Sequence, residues 1–243
     1  IEFSPSTSST SGTIVVGTPD VTSDTTGTIT VGTGTLEYMA IRYSPNGSGA
    51  LIDTLTMETD QVKTMYMAGY DQDDNYIRDV NVQWTVQGDI GTISTEDSYS
   101  TSTIFTATTI GTGTVQADTS IFSDQTGIIT VMGGALDHLL IRDEANGGGS
   151  EVLDVTMTTD ESLSLYAAGY DAYDNYLSDV DVTWSVTGNL DDVSGSGSSI
   201  EFSPSTSSTS GTIVSSSPSV TSDATGTITV GTGALEYTLI RSG

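Results

Sequence analysis

The sequence predicts an all-β fold, a tandem of antiparallel sandwiches, and three observations carry that expectation. The first is repetition: Gly69-Tyr70-Asp71, Asn75-Tyr76, Asp79-Val80, Val82, Trp84 and Val86 return 100 positions later as Gly169-Tyr170-Asp171, Asn175-Tyr176, Asp179-Val180, Val182, Trp184 and Val186. A long fixed period marks an array of units. The second is alternation. Val82, Trp84 and Val86, like Val182, Trp184 and Val186, are separated by single polar residues, the period-2 pattern of a half-buried strand. The third is composition: Thr, Ser, Gly and Asp dominate and helix formers are scarce. A chain of 243 residues with a repeat near 100 holds two complete units and parts of others.

Residues 1–34 read as the last third of a unit, because Ile1 to Val15 recur as Ile200 to Val214, and Asp24, Gly27, Ile29 and Val31 recur as Asp223, Gly226, Ile228 and Val230. Residues 35–134 form the first complete unit, with strands expected at 36–42, 51–57, 62–70, around Trp84, and at 104–108, 113–117 and 127–131. The 43–49 stretch between the first two is rich in turn formers. Residues 135–233 repeat the series at 136–142, 152–157, 163–170, 180–186, 199–203, 211–214 and 226–230. Phe105 and Phe202 are equivalent, and the length differences fall in the loops beside them, where a sandwich tolerates them. Residues 234–243 open a further unit with its first strand. About seven short strands per unit suit an antiparallel sandwich. Both ends cut through a unit, so the expected context is a longer chain with neighbouring repeats.

The charge is lopsided: 32 Asp and Glu against five Lys and Arg, a formal charge of −27. Such a surface repels nucleic acid and anionic lipid, so no nucleic-acid partner is expected. No apolar run reaches the roughly 18 residues of a membrane span. There is no Cys, hence neither a disulfide nor a thiolate metal site. No Gly-x-Ser-x-Gly elbow, phosphate loop or His cluster is present, and the expectation is that this region is not an enzyme.

The pattern Leu136-x-x-Leu139-x-Ile141, Gly169-Tyr170-Asp171-x-x-x-Asn175, Val182-x-Trp184-x-Val186 and Asp223-x-Thr225-Gly226-x-Ile228-Thr229-Val230 resembles the bacterial immunoglobulin-like repeats of large surface and secreted proteins, the invasin and intimin type. The resemblance covers the whole chain. It implies immunoglobulin-like sandwiches serving as stalks, spacers or adhesin modules, sometimes attached to enzymes. In one respect the chain departs from the family: Asp74 and Asp174 stand where the family's turn usually has Gly, which supplies a positive φ at no cost.

The acidic turns are candidate calcium sites, with Asp71, Asp73, Asp74, Asn75 and Asp79 in the first unit and Asp171, Asp174, Asn175 and Asp179 in the second. Carboxylate and amide oxygens are the ligands that Ca²⁺ takes. The same residues also suit local backbone bonding in turns. Arg42, Arg142 and Arg241 recur at the end of the first strand, and an ion pair with Asp24, Asp124 or Asp223 is expected across the junction or from an adjacent strand. His138, the one His, aligns with Tyr38 and Tyr237 and reads as a half-exposed strand position. Trp84 and Trp184 are expected between the sheets, with Val82, Val86, Phe105, Val182, Val186 and Phe202 around them.

The functional expectation is a stalk, spacer or filament segment of an extracellular or cell-surface protein, extended as a semi-rigid rod. Its expected partners are the neighbouring repeats. An adhesin-type module for a protein or glycan is the alternative, and an accessory region of a secreted enzyme a further one.

Overall fold

The computed structural model describes residues 1–96 and 98–236. It divides into two compact units, one spanning Ile1–Met132 and one beginning at Gly133. Among the described residues every regular element is a strand.

In the first unit, residues from Tyr38 onward fold as two facing sheets. One has the order Gly91–Ile93, Ser102–Ala107, Val62–Tyr70, Tyr38–Arg42, with Tyr76–Asp79 also paired to Val62–Tyr70. The other runs Tyr99–Ser100, Val82–Gln87, Gly111–Asp118, Ile129–Met132, Leu55–Glu58, with Ser123–Gln125 on Gly111–Asp118. Alternation sends one face of each strand inward, so Met65, Met67, Val82, Trp84, Phe105, Val115, Ala117, Ile129 and Val131 meet between the sheets. Trp84 is fully buried and donates its indole N–H to the Ser100 carbonyl at 3.1 Å. Val86 is half-buried at the margin of this core.

All seven expected strands form, and four shorter ones join them: Tyr76–Asp79, Gly91–Ile93, Tyr99–Ser100 and Ser123–Gln125. One pairing departs from the antiparallel expectation, since Ile129–Met132 runs parallel to Leu55–Glu58. Gly127 makes that approach possible. Its N–H bonds the Ile52 carbonyl at 2.8 Å, and a Cβ there would collide with the Asp53 carbonyl oxygen.

The second unit repeats this core around Trp184, Phe202, Leu165, Ile213 and Ile228, and the Trp184 indole donates to the Gly197 carbonyl at 2.9 Å. Here the two layers are joined at one edge. The His138–Arg142 strand pairs with Leu163–Tyr170 on one side and meets Val220–Ala224 in parallel at His138 and Thr221 on the other. The continuous sheet therefore runs from Tyr176–Asp179 to Gly195–Gly197. Thr209–Gly211, Ile228–Gly231 and Val155–Thr158 form a separate three-stranded sheet.

Residues 1–31 keep the local pairings of their counterparts: Thr10–Gly12 with Ile29–Val31, and Val15–Thr18 with Val21–Thr25. Their apolar side chains fare differently. Phe3 is 54% exposed where its counterpart Phe202 is 0%, and Ile14 is 41% exposed where Ile213 is 0%. The difference is one of context, because Phe202 and Ile213 lie in strands paired to Leu163–Tyr170 and Val182–Val186.

Candidate junction site

The recurring Gly-Tyr-Asp closes the long strand of each repeat, and the structure gives each of the three residues a task toward the segment that enters that repeat. In the first unit the Asp71 carboxylate accepts the Gly34 N–H at 2.9 Å. The Tyr70 carbonyl accepts the Glu37 N–H at 2.8 Å. Gly69 leaves room for Leu36, whose Cδ1 would lie 2.6 Å from a Cβ built on that glycine. Residues 34–37 are thus held by a carboxylate, a main-chain carbonyl and an apolar seat. The second unit repeats all three contacts: Gly134 N–H to Asp171 at 3.3 Å, Asp137 N–H to the Tyr170 carbonyl at 2.8 Å, and Leu136 over Gly169.

Asp71 and Asp171 are 4% and 1% exposed, so each needs donors for a buried charge. The turn supplies them. Asp71 Oδ1 takes the N–H groups of Asp73 and Asn75 at 3.1 and 2.9 Å, and the Asn75 side-chain amide at 3.0 Å. Asp171 Oδ1 takes those of Tyr173 and Asn175 and the Asn175 amide, all at 3.0 Å. Hydrogen bonding to the charged form favours it. The Gly34 N–H, followed by the donors of Asn75 and Asp73, holds the Asp71 carboxyl below the usual carboxylate range against the opposing effect of burial.

Asp74 and Asp174 adopt the left-handed conformation themselves, at φ 63° and 62°. Asp is one of the few side chains that does so readily, which is why the turn survives without Gly. Asp74 also accepts the Tyr38 hydroxyl at 2.6 Å. Tyr38 stacks on Tyr70 at 5.2 Å, and burial, then the Asp74 hydrogen bond, pushes its hydroxyl up to about 12. His138 takes this place in the second unit. Its ring stacks on Tyr170 at 5.6 Å and sits between Asp137 at 3.2 Å and Asp174 at 3.4 Å.

The residues expected to hold calcium are engaged in hydrogen bonds in this arrangement. Of the residues named for it, the turn brings together Asp71 with Asn75 and Asp171 with Asn175, through hydrogen bonds. Asp73 contributes its main-chain N–H to Asp71. Asp79 instead accepts the Asn46 N–H and the Tyr76 hydroxyl, and Asp179 those of Asn146 and Tyr176. The buried carboxylates accept main-chain N–H groups, which compensate their charge. Among the described residues no group of three or more His, Cys, Asp or Glu stands ready to hold a metal ion.

The arginine expectation is corrected. Arg42 donates to the Gly49 carbonyl at 2.8 Å and lies 5.0 Å over the Tyr70 ring, and Arg142 donates to the Gly148 and Gly149 carbonyls at 2.8 and 2.5 Å. Each guanidinium therefore braces the turn-rich loop that follows its own strand. Asp124 and Asp223 meet main chain instead, accepting the Ile41 and Ile141 N–H groups, both at 2.7 Å. The recurrence of both residue types is real, but each closes its own sandwich. Arg241 lies outside the described residues.

Two residues escaped the sequence reading. Thr159 Oγ1 accepts the Gly233 N–H at 3.1 Å and Asp160 accepts the Ala234 N–H at 2.6 Å, so the segment leaving the second repeat is held too. The signal was available, since Met57-x-Thr59-Asp60 returns as Met157-x-Thr159-Asp160.

No protein-family model and no curated protein matches the sequence. Among solved structures, the chain is similar to surface layer protein SbsC, domains 4–9, at 15% identity and a TM-score of 0.32, covering 92% of this chain and 35% of that one. It is similar to FdeC, an Escherichia coli adhesin, at 16% identity and a TM-score of 0.39, covering 83% of this chain and 66% of that one. It is also similar to the Yersinia pseudotuberculosis adhesin InvE, at 13% identity and a TM-score of 0.32, covering 79% and 58%. The chain spans about a third of the length of the SbsC structure. The all-β immunoglobulin-like architecture itself is read from the strand pairing above.

Proposed function

We propose that this chain is a stalk or spacer segment of a cell-surface or extracellular protein, in which successive immunoglobulin-like repeats are joined by docked linkers. The observation that supports the reading is the double occurrence of the Gly-Tyr-Asp seat. In both repeats the same three residues fasten the entering segment, leaving little chain free to act as a flexible tether. In the second repeat the leaving segment is fastened as well. A hinge protein would spend these positions on solvent-exposed Gly and Ser. The net charge of −27 favours extension further, since like-charged units repel within a Debye length. The surface location agrees with the adhesin and surface-layer proteins to which the chain is similar.

The test is solution scattering from the whole chain at fixed ionic strength. A cross-section one domain wide and a long maximum dimension are expected, with Asp171→Ala broadening the distribution toward bent forms. A compact, freely bending wild-type ensemble would count against the stalk.

A further inference from the structure

The Asn of the junction turn has a second set of contacts, which the docked linker does not use. The Asn75 side-chain oxygen accepts the Ser8 N–H at 3.0 Å, and its amide nitrogen donates to the Ser6 carbonyl at 3.0 Å. The same nitrogen donates to Asp71 Oδ1 at 3.0 Å. A primary amide offers two N–H donors and one carbonyl acceptor. Here one donor goes to Asp71, the other to Ser6, and the oxygen to Ser8, so the group is fully used. The carboxamide thus spans one bend, meeting the Ser6 carbonyl with a donor and the Ser8 N–H with its acceptor. Ser6 and Ser8 belong to the loop Ser4-Pro5-Ser6-Thr7-Ser8, which lies outside the repeat that owns Asn75.

That loop recurs unchanged in the second repeat as Ser203-Pro204-Ser205-Thr206-Ser207. There its shape is fixed from within, because Asp191 accepts the N–H groups of Ser205 and Thr206 at 2.6 and 3.0 Å and the Ser205 hydroxyl at 2.9 Å. Ser205 and Thr206 are exposed.

We infer that Asn75 is a specificity-determining residue of the junction: its carboxamide recognises the Ser-Pro-Ser-Thr-Ser loop of the preceding repeat through that loop's main chain, and Ser205–Ser207 offer the same edge to the turn of a following repeat. The partner surface is thus a second repeat of this kind carrying that loop. Asn is required where Asp is not equivalent. A carboxylate keeps the acceptor for Ser8, but turns an acceptor toward the Ser6 carbonyl and toward the Asp71 carboxylate, where Asn75 places donors. This inference rests on the stalk reading and adds to it the means by which one repeat selects the loop it follows.

Amide hydrogen exchange on the whole chain, resolved by residue, tests it. Asn75→Ala is expected to speed exchange at Ser8 about tenfold, the factor that one hydrogen bond of ordinary net strength represents. Asn75→Asp is expected not to restore the wild-type rate. The Gly34 amide, held by Asp71, is the internal control and should slow or quicken far less than Ser8. Ser8→Pro approaches from the other side, deleting the donor without touching the turn, and should quicken exchange of the Asn75 side-chain amide protons several-fold. Unchanged Ser8 exchange in Asn75→Ala, or full rescue by Asp, overturns the recognition and leaves the docked linker standing. A freely bending wild-type chain with Ser8 still protected would defeat the stalk reading and support the recognition.

Discussion

Asp71 is a buried carboxylate that receives main-chain N–H groups from its own turn and from the entering segment. Burial among N–H donors gives the carboxylate its partners, and nothing in the local sequence says that Gly34 will be one of them. What the sequence did show was that the residue recurs with its Gly and Tyr, which is the mark of a part belonging to every repeat. The pH dependence follows from the same contacts. The Asp71 carboxyl is depressed by the Gly34 and turn donors, and the Asp191 carboxyl is lowered to about 2 by the Ser205 N–H first and then by the Thr206 and Ser205 side-chain contacts. A carboxyl depressed in the folded state contributes stability that is complete above its unfolded value of about 3.9 and is lost as pH falls through the folded value. Acid titration followed by amide exchange should therefore show Gly34, Ser205 and Thr206 protected near pH 5, with the Ser205 and Thr206 amides released toward pH 2. Release of those two amides at pH 4 would contradict the assignment. A second outcome concerns His138, which stacks where Tyr38 stacks. His138→Tyr should recreate the hydroxyl bond to Asp174 and raise stability by about 0.5–1 kcal/mol, read as a higher Tm of the second unit.

At the scale of elements the long strands were legible because each combines a period-2 apolar pattern with length, as in Val62–Tyr70 and Val82–Gln87. The four short ones were not. Tyr76–Asp79 carries Tyr-Ile-Arg-Asp with no clean alternation, and Gly91–Ile93 and Ser123–Gln125 are too brief for any period to show; tertiary pairing makes them strands. The Trp register, by contrast, followed directly from alternation. Trp84→Ala removes a fully buried ring together with its bond to Ser100, and should cost about 3–5 kcal/mol in the first unit, measured by denaturant unfolding. Gly169 permits a sharper test of the linker seat. An Ala there would meet Leu136 Cδ1 and Val180 Cγ2, both 2.6 Å away, and the Ser178 carbonyl at 3.2 Å. Gly169→Ala should cost about 1–3 kcal/mol and, by pushing Leu136 away, quicken exchange of the neighbouring Asp137 amide, which bonds the Tyr170 carbonyl.

For the whole molecule, the repeat period disclosed the counterpart pairs Phe3 and Phe202, Ile14 and Ile213, whose first members are exposed and second members buried. Interactions between distant residues were hidden from the sequence. Arg42 and Asp124 recur in step, and a pair of opposite charges is the natural reading, yet one binds a loop carbonyl and the other a strand N–H 83 positions away. The period reveals that two positions belong to the module and is silent on whether they meet. Whether the Gly-Tyr-Asp seat sets the extension of the chain, as proposed, is read by small-angle scattering of the wild type beside Asp171→Ala at one ionic strength. A long, one-domain-wide profile is expected for the wild type and a bent, broader distribution for the variant, with both units still folded. Superimposable profiles, or a wild type that is already compact and freely bending, would contradict that proposal.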